Sequence, residues 1–181
     1  ELDARQTSDF DSLVQRRNQG EPVAYITGRR GFWSLDLQVT ADTLIPRPET
    51  ERLVELVLSR MYPETPAEIL DLGTGSGAVA LAIAVERPAS RITAVDASTA
   101  ALAVAAANAG RLQLCNVVFE QGDWYSQLGT RRFDIIASNP PFHTQSRADR
   151  PDVGRRFIAV AAESLKPGGR LYLVANRHLP Y

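Results

Sequence analysis

Between Ile69 and Gly77 the chain reads Ile-Leu-Asp-Leu-Gly-Thr-Gly-Ser-Gly and passes directly into an alanine-rich apolar stretch. An apolar run that breaks into alternating glycines before a helical pattern reads as strand, tight turn, helix. Gly73, Gly75 and Gly77 permit positive φ, let the backbone press against a ligand with no Cβ between, and let the helix pack closely on its strand. The first N–H groups of the helix beginning near Gly77 have no internal partners, so the turn Gly73-Thr74-Gly75-Ser76-Gly77 offers donors to an anionic or polar group. A ligand over this turn is the expectation.

From Glu68 onward the period is β, α, β, α. It gives strands at 68–72, 91–96, 116–120, 133–138 and 170–175, with helices at 77–87, stopped by Pro88, and at 98–109, capped by Ser98 and ended by Gly110. Helices alternating with apolar strands predict an α/β fold with a doubly wound parallel sheet and right-handed crossovers. Ligands in such sheets sit at the carboxyl ends of the strands. The glycine turn, Asp96, Asp123-Trp124 and Asn139 all fall at those ends. A chain of 181 residues, 44% hydrophobic and 23% charged, is long enough to bury such a core.

Ahead of this core, Ser8 to Arg17 carries apolar residues at helical spacing, with Ser8 or Asp9 as cap. Val23–Thr27 and the alternating Trp33-x-Leu35-x-Leu37-x-Val39 read as two strands of a hairpin joined through Gly28-Arg29-Arg30-Gly31. A lone ribbon is unstable, so Trp33, Leu35 and Leu37 are expected to pack on the main domain. Thr43 to Glu51 is a stiff loop with two prolines, leading into a helix over 50–61, and Arg47 in it is a candidate for the pocket rim. The division expected is 1–62 as an amino-terminal helix, hairpin and linking helix, and 63–181 as the ligand-binding domain.

The residues narrow the ligand. Gly73-x-Gly75-x-x-Ala78 fits the loose dinucleotide fingerprint, with Asp96 at about the expected 20-residue spacing. Asp71, two residues before the first glycine, would repel a pyrophosphate and suits a cation instead. Ser138-Asn139-Pro140-Pro141-Phe142 follows the fourth strand, and its two prolines make a rigid loop that only accepts hydrogen bonds. Asn139, held extended by Pro140, can converge its side-chain carbonyl with the Pro140 backbone carbonyl on one NH₂ group. Such a grip orients the delocalised lone pair of an amide or aromatic amine for attack on an electrophile, with Phe142 stacking on the planar substrate.

The D-x-G-x-G-x-G pattern at Asp71–Gly77 resembles the S-adenosyl-L-methionine site of class I methyltransferases. Asn139–Phe142 resembles the [DN]-P-P-[YF] signature of methyltransferases acting on planar nitrogens. Residues 15–141 closely resemble the bacterial release factor glutamine methyltransferases at Gly20–Gly28, Phe32–Leu35, Thr43–Glu51, Ile69–Gly77 and Ser138–Pro141. The resemblance implies a class I Rossmann-like methyltransferase that modifies the glutamine amide of the Gly-Gly-Gln motif in peptide chain release factors. It also implies that Asp71, Gly73, Thr74, Gly75, Ser76, Gly77, Asp96, Asp123, Trp124 and Asn139 bind the cofactor. The acid beside the glycines would lie near its methionine portion and Asp96 on its ribose hydroxyls. Asn139, Pro140, Pro141 and Phe142 would bind the glutamine, with Asn139, Pro140 and Phe142 catalytic.

Two departures stand out: the family has Tyr where this chain has Phe142, and a longer segment after that motif. From Asn139 to Tyr181 the chain looks instead like ribosomal RNA guanine-N2 methyltransferases, which makes ribosomal RNA a second candidate partner and a cofactor-binding fragment without turnover a third reading. Arg147, Arg150, Arg155 and Arg156 form a basic cluster in a chain of net charge −1. The chain stops after its fifth strand where the class I fold adds two more, so that edge is expected to be covered by another copy or by the amino-terminal segment, or to be poorly ordered. Single Cys115 and two separated histidines give no zinc spacing, so no metal is expected. Without a signal peptide or a run of roughly 18 apolar residues, no membrane partner is expected and the cytoplasm is the expected location.

Overall fold

Strands built of near-continuous apolar residues need cover on both faces, and this chain supplies it with helices in the connections. The computed structural model describes residues 3–123, 128–140 and 151–174, with 151–154 described by backbone alone. In chain order the elements are α1 (Ala4–Asn18), α2 (Val23–Thr27), β1 (Arg29–Phe32), β2 (Leu35–Gln38), α3 (Pro48–Leu58), β3 (Glu68–Leu72), α4 (Ala78–Glu86), β4 (Arg91–Asp96), α5 (Thr99–Arg111), β5 (Val117–Gln121), β6 (Phe133–Ser138), α6 (Pro151–Glu163) and β7 (Leu165–Leu173).

The five core strands form one parallel sheet in the order β5-β4-β3-β6-β7. From β3 the chain winds outward through β4 and β5, then returns to the other side of β3 for β6 and β7. The order therefore reverses between β3 and β6, and a crevice opens there at the carboxyl ends. Strand alternation divides the core. Ile69, Ile135 and Ala137 face a cluster with α3, α4 and the hairpin. Leu70, Leu72, Val95 and Ile136 face Phe157 and Ala161 of α6. The run Ala78–Ala84 is buried throughout, as expected for a helix apolar all round.

The hairpin belongs to the first of these clusters. Phe32, Leu35 and Leu37 are buried with Val54, Val57 and Ile83, as the alternating pattern predicts for Leu35 and Leu37, and Trp33 packs partly buried against them. Its register differs from the sequence expectation. Val23–Thr27 is one short helix, not a strand: Pro22 starts it and Gly28, at φ 69°, stops it. The strands are Arg29–Phe32 and Leu35–Gln38, so the turn is Trp33-Ser34 and not Gly28–Gly31. Trp33 adopts φ 57°, and its cost is offset by two bonds. Its backbone N–H donates to Glu51 Oε1 (2.9 Å) and its indole N–H to Glu86 Oε1 (2.8 Å).

Other boundaries move too. Helix α1 begins at Ala4, capped by Asp3 in a reciprocal capping box with Gln6, and not by Ser8 or Asp9. Helix α3 ends at Leu58. Gly110 does not end α5, which continues to Arg111, and Gln113 takes the left-handed conformation at φ 57°. β7 begins at Leu165, but its regular pairing runs from Arg170 opposite Ile135 to Leu173 opposite Ser138, with an irregularity before it. Among the described residues no strand pairs with the outer edge of β7.

Gly77, at φ 85°, is where α4 presses against α5. A Cβ there would meet Leu81 Cδ1 at 2.9 Å, and Leu81 Cγ and Ala105 Cβ each at 3.2 Å. Gly77→Ala is expected to cost about 1–3 kcal/mol from strain and overpacking. In thermal unfolding that appears as a fall in Tm of roughly 2–4 °C per kcal/mol for a chain of this size.

Candidate functional site

The glycine turn is pinned from both sides. Gly73, Gly75 and Gly77 all take positive φ, at 75°, 57° and 85°. The N–H groups of Gly73 and Thr74 donate to the Val95 carbonyl at the end of β4 (2.8 and 3.0 Å). The Gly75 N–H donates to Asp96 Oδ2 (2.8 Å), and the Ser98 N–H to the other oxygen of the same carboxylate (2.9 Å). Asp96 therefore braces the turn, and each oxygen keeps lone-pair capacity for a hydroxyl. Asp123 lies exposed beyond β5, beside Gly122, whose N–H donates to the Asp96 carbonyl (3.0 Å).

Asp71 sits beneath the turn and is only 1% exposed. Its Oδ2 accepts from the Thr74 hydroxyl (2.6 Å) and the Ala80 N–H (3.2 Å). Burial nonetheless raises its pKa to about 6; the two hydrogen bonds oppose that rise and the nearby Asp96 charge adds to it. A carboxylate held at such a cost, on a wall open to a crevice, suits a cationic partner.

A bond across the sheet brings the second half of the site into place. The Ser138 hydroxyl donates to the Leu72 carbonyl (2.7 Å), aligning the ends of β6 and β3 so that Asn139 stands beside Gly73. One cavity is lined by Asp71, Gly73, Thr74, Gly75, Ser76 and Asn139, closed by Ile45, Pro46 and Thr50 from the loop and first turn of α3. Asn139 Nδ2 donates to Thr50 Oγ1 (3.0 Å), and Pro140 is buried. A Cβ built on Gly75 meets nothing within 4 Å although φ is 57°. The space over the turn is therefore left clear by the protein, and the combination of an acid bracing the turn, a buried acid and a glycine turn fits a cationic nucleoside cofactor.

Arg47 is the exposed N-cap of α3 and is not among the residues lining this cavity. Trp124, Pro141 and Phe142, with His143, Arg147 and Arg150, lie outside the described residues; Arg155 and Arg156 are exposed on α6. Thr50 and Asn108 were not legible as site residues. Asn108, fully buried, accepts from the Gln38 N–H (2.7 Å) and donates to the carbonyls of Gln38 and Ser76 (both 3.0 Å), tying the hairpin edge to the glycine turn. Both partners lie far away in sequence. The only available hint was a polar residue on the inward face of an otherwise apolar helix. No described helix is long and apolar enough to cross a membrane, and no described group of His, Cys, Asp and Glu could hold a metal.

A family model described as Methyltransferase small domain matches residues 50–181, and one described as PrmC N-terminal domain matches residues 1–28. The release factor glutamine methyltransferase of Xylella fastidiosa (strain 9a5c) is 55% identical over 191 residues, covering 95% of this chain and 70% of its own length. That of Escherichia coli (strain K12) is 51% identical over 142 residues, covering 78% of this chain and 51% of its own. Among solved structures, a SAM-dependent methyltransferase from Geobacter sulfurreducens in complex with S-adenosyl-L-homocysteine superposes with a TM-score of 0.53 at 26% identity, over 68% of this chain and 47% of that one. The chain thus spans from about half to 70% of these curated relatives. At 95% coverage the Xylella match runs well past Asn139 into the carboxy-terminal segment. Its 191 aligned positions exceed the 181 residues of this chain, in keeping with a segment shorter here than in relatives. With a glycine turn, a buried acid and an Asn-Pro loop on one crevice, and with identities of this size over this much of the chain, the protein belongs to the release factor glutamine methyltransferase family.

Proposed function

We propose that this chain transfers a methyl group from S-adenosyl-L-methionine to the side-chain amide nitrogen of the glutamine in the Gly-Gly-Gln motif of peptide chain release factors. The cofactor, when bound, supplies an electrophilic methyl on a sulfonium. Asp96, the glycine turn and Asp71 would hold it, and the sequence pattern adds Asp123 and Trp124 to that set. The observation carrying the reading is that Asn139 lines one cavity with Asp71 and Gly73–Ser76, which sets the acceptor loop against the cofactor turn.

An amide nitrogen is a poor nucleophile because its lone pair is shared with the carbonyl. The Asn139 side-chain carbonyl and the Pro140 backbone carbonyl accept its two hydrogens, turning the lone pair toward the methyl and favouring pyramidal nitrogen in the transition state. By the sequence motif, Pro141 would stiffen the loop and Phe142 would stack on the planar amide. With the cofactor in place, formation of the N–C bond would be matched by loss of the methyl from sulfur, which would leave as a neutral thioether. One N–H proton, acidic once the methyl is attached, leaves for water, so no strong base is required. Arg47, exposed next to the cavity-lining Pro46, is the basic residue proposed to meet the release factor. Such a substrate puts the reaction in the cytoplasm.

A labelled-methyl transfer assay with release factor and ribosomal RNA offered in parallel tests this. Label in the glutamine of the protein supports the reading. Label in RNA alone moves the acceptor to guanine N2, and cofactor binding without transfer to either leaves a binding module.

A further inference from the structure

The amide of Asn139 has two unlike ends, and the proposed chemistry works with only one of them toward the substrate. Presented with Oδ1, the acceptor NH₂ finds a partner; presented with Nδ2 after a 180° turn of the amide, it meets two more donors. Proline at 140 fixes the backbone of this loop but leaves that side-chain torsion broad. What holds it is on another element, 89 residues away: Nδ2 donates to Thr50 Oγ1 at 3.0 Å.

Thr50 is well placed for such a task. It is 5% exposed, it sits in the first turn of α3, and its N–H donates to the Arg47 carbonyl (2.9 Å). The helix that carries it is anchored by buried Leu53, Val54 and Val57, and its Glu51 holds the Trp33 turn. Thr50 and Asn139 line the same cavity. With its nitrogen engaged by Thr50, the amide keeps Oδ1 as the group left over for a ligand.

We infer that Thr50 is a positioning residue for methyl transfer, one that anchors the Asn139 amide so that, in the arrangement seen here, Nδ2 rests on the hydroxyl oxygen and Oδ1 is left for the acceptor. The inference rests on the methyltransferase reading for its kinetic consequence but not for its structural one. Only a hydroxyl at this position serves, so Ser substitutes for Thr and Val does not, although Val fills the same space.

The experiment compares Thr50→Val and Thr50→Ser with the parent chain. In Thr50→Val, turnover at saturating cofactor and release factor is expected to fall about tenfold or more, as misplacement of a substrate-gripping group does. Cofactor Kd stays within about threefold, because the cofactor's other contacts are intact. Thr50→Ser restores turnover to within about threefold. In ¹⁵N NMR the Asn139 side-chain NH₂ pair, assigned by its loss in Asn139→Asp, shifts in Thr50→Val and returns in Thr50→Ser. Parent-like turnover in Thr50→Val, an unmoved NH₂ pair, or a Ser variant as impaired as Val overturns the inference. If the parent methylates no release factor, the functional proposal fails while the NMR comparison still decides the role of Thr50. If Thr50→Val does not fold, hydrogen exchange of that NH₂ pair in the parent decides: protection supports the inference, and exchange as fast as in free asparagine overturns it.

Discussion

Asn139→Ala is expected to lower single-turnover methyl transfer by about 10²–10³-fold, the loss typical of removing one preorganised group from the transition state. The geometry explains why the effect is so large for a small truncation. The Ser138 hydroxyl fixes the end of β6 to the Leu72 carbonyl, so the loop keeps its place. Water entering the vacated space can accept a hydrogen bond, but it is not held in register with the methyl. The fold should be little affected. Asn139 is only partly buried and, among the described residues, its side chain bonds to Thr50, so the stability cost is about 1 kcal/mol. Cofactor affinity should weaken less than turnover, since Asp96, Asp71 and the turn remain. The measurement is transfer of labelled methyl from pre-bound cofactor, with the melting curve beside it. Turnover within a few-fold of the parent would remove the acceptor-loop mechanism.

The parts of this architecture that were legible in the sequence are those whose cause is local. The strand at 68–72 and the turn after it are announced by an apolar run ending in glycines, and the structure places β3 and the three positive-φ glycines there. The alternating core elements follow from the same kind of signal. The failures are places where a distant contact overrode local preference. Val23–Thr27 is rich in β-branched residues, yet Pro22 and Gly28 close it into a single helical turn, and the Tyr25 hydroxyl is tied to the Thr43 carbonyl (2.7 Å). No turn chemistry marks Trp33-Ser34; the positive φ of Trp33 is held by two glutamates, one on α3 and one on α4.

The site divides the same way. Asp71, Asp96 and Asn139 each follow a strand pattern, so position on the rim could be read from the chain alone. Thr50 could not, because its importance lies in a bond to a residue in the other half of the chain. Its neighbours Pro48 and Glu49 explain the start of α3 without it, and so the whole segment reads as a helix cap.

Cofactor binding is expected to carry the titration of Asp71. The free protein holds this carboxyl with a pKa of about 6, so below that pH it is mostly protonated and must lose its proton to meet a cation. Apparent affinity for S-adenosyl-L-methionine should therefore rise as pH goes from 5 to 7, by up to about tenfold per unit below pH 6, and then level off. Stability of the unliganded protein runs the other way. A carboxyl whose pKa is raised from 3.8 to about 6 on folding contributes stability that is fully present below pH 3.8 and lost as pH climbs through 6. Asp71→Asn separates these two consequences. It keeps an oxygen for the Thr74 hydroxyl and the Ala80 N–H but removes the charge, so the unliganded variant should melt at or above the parent temperature at pH 7. Its cofactor affinity should fall by about 10–100-fold, the worth of a buried charge-assisted contact, and should lose its pH dependence between 5 and 7. Calorimetry in two buffers of different ionisation enthalpy reads the proton directly: near pH 6 the parent should release a fraction of a proton on binding that the variant does not. A parent affinity that is flat from pH 5 to 7 would show that the cofactor's cationic end lies elsewhere.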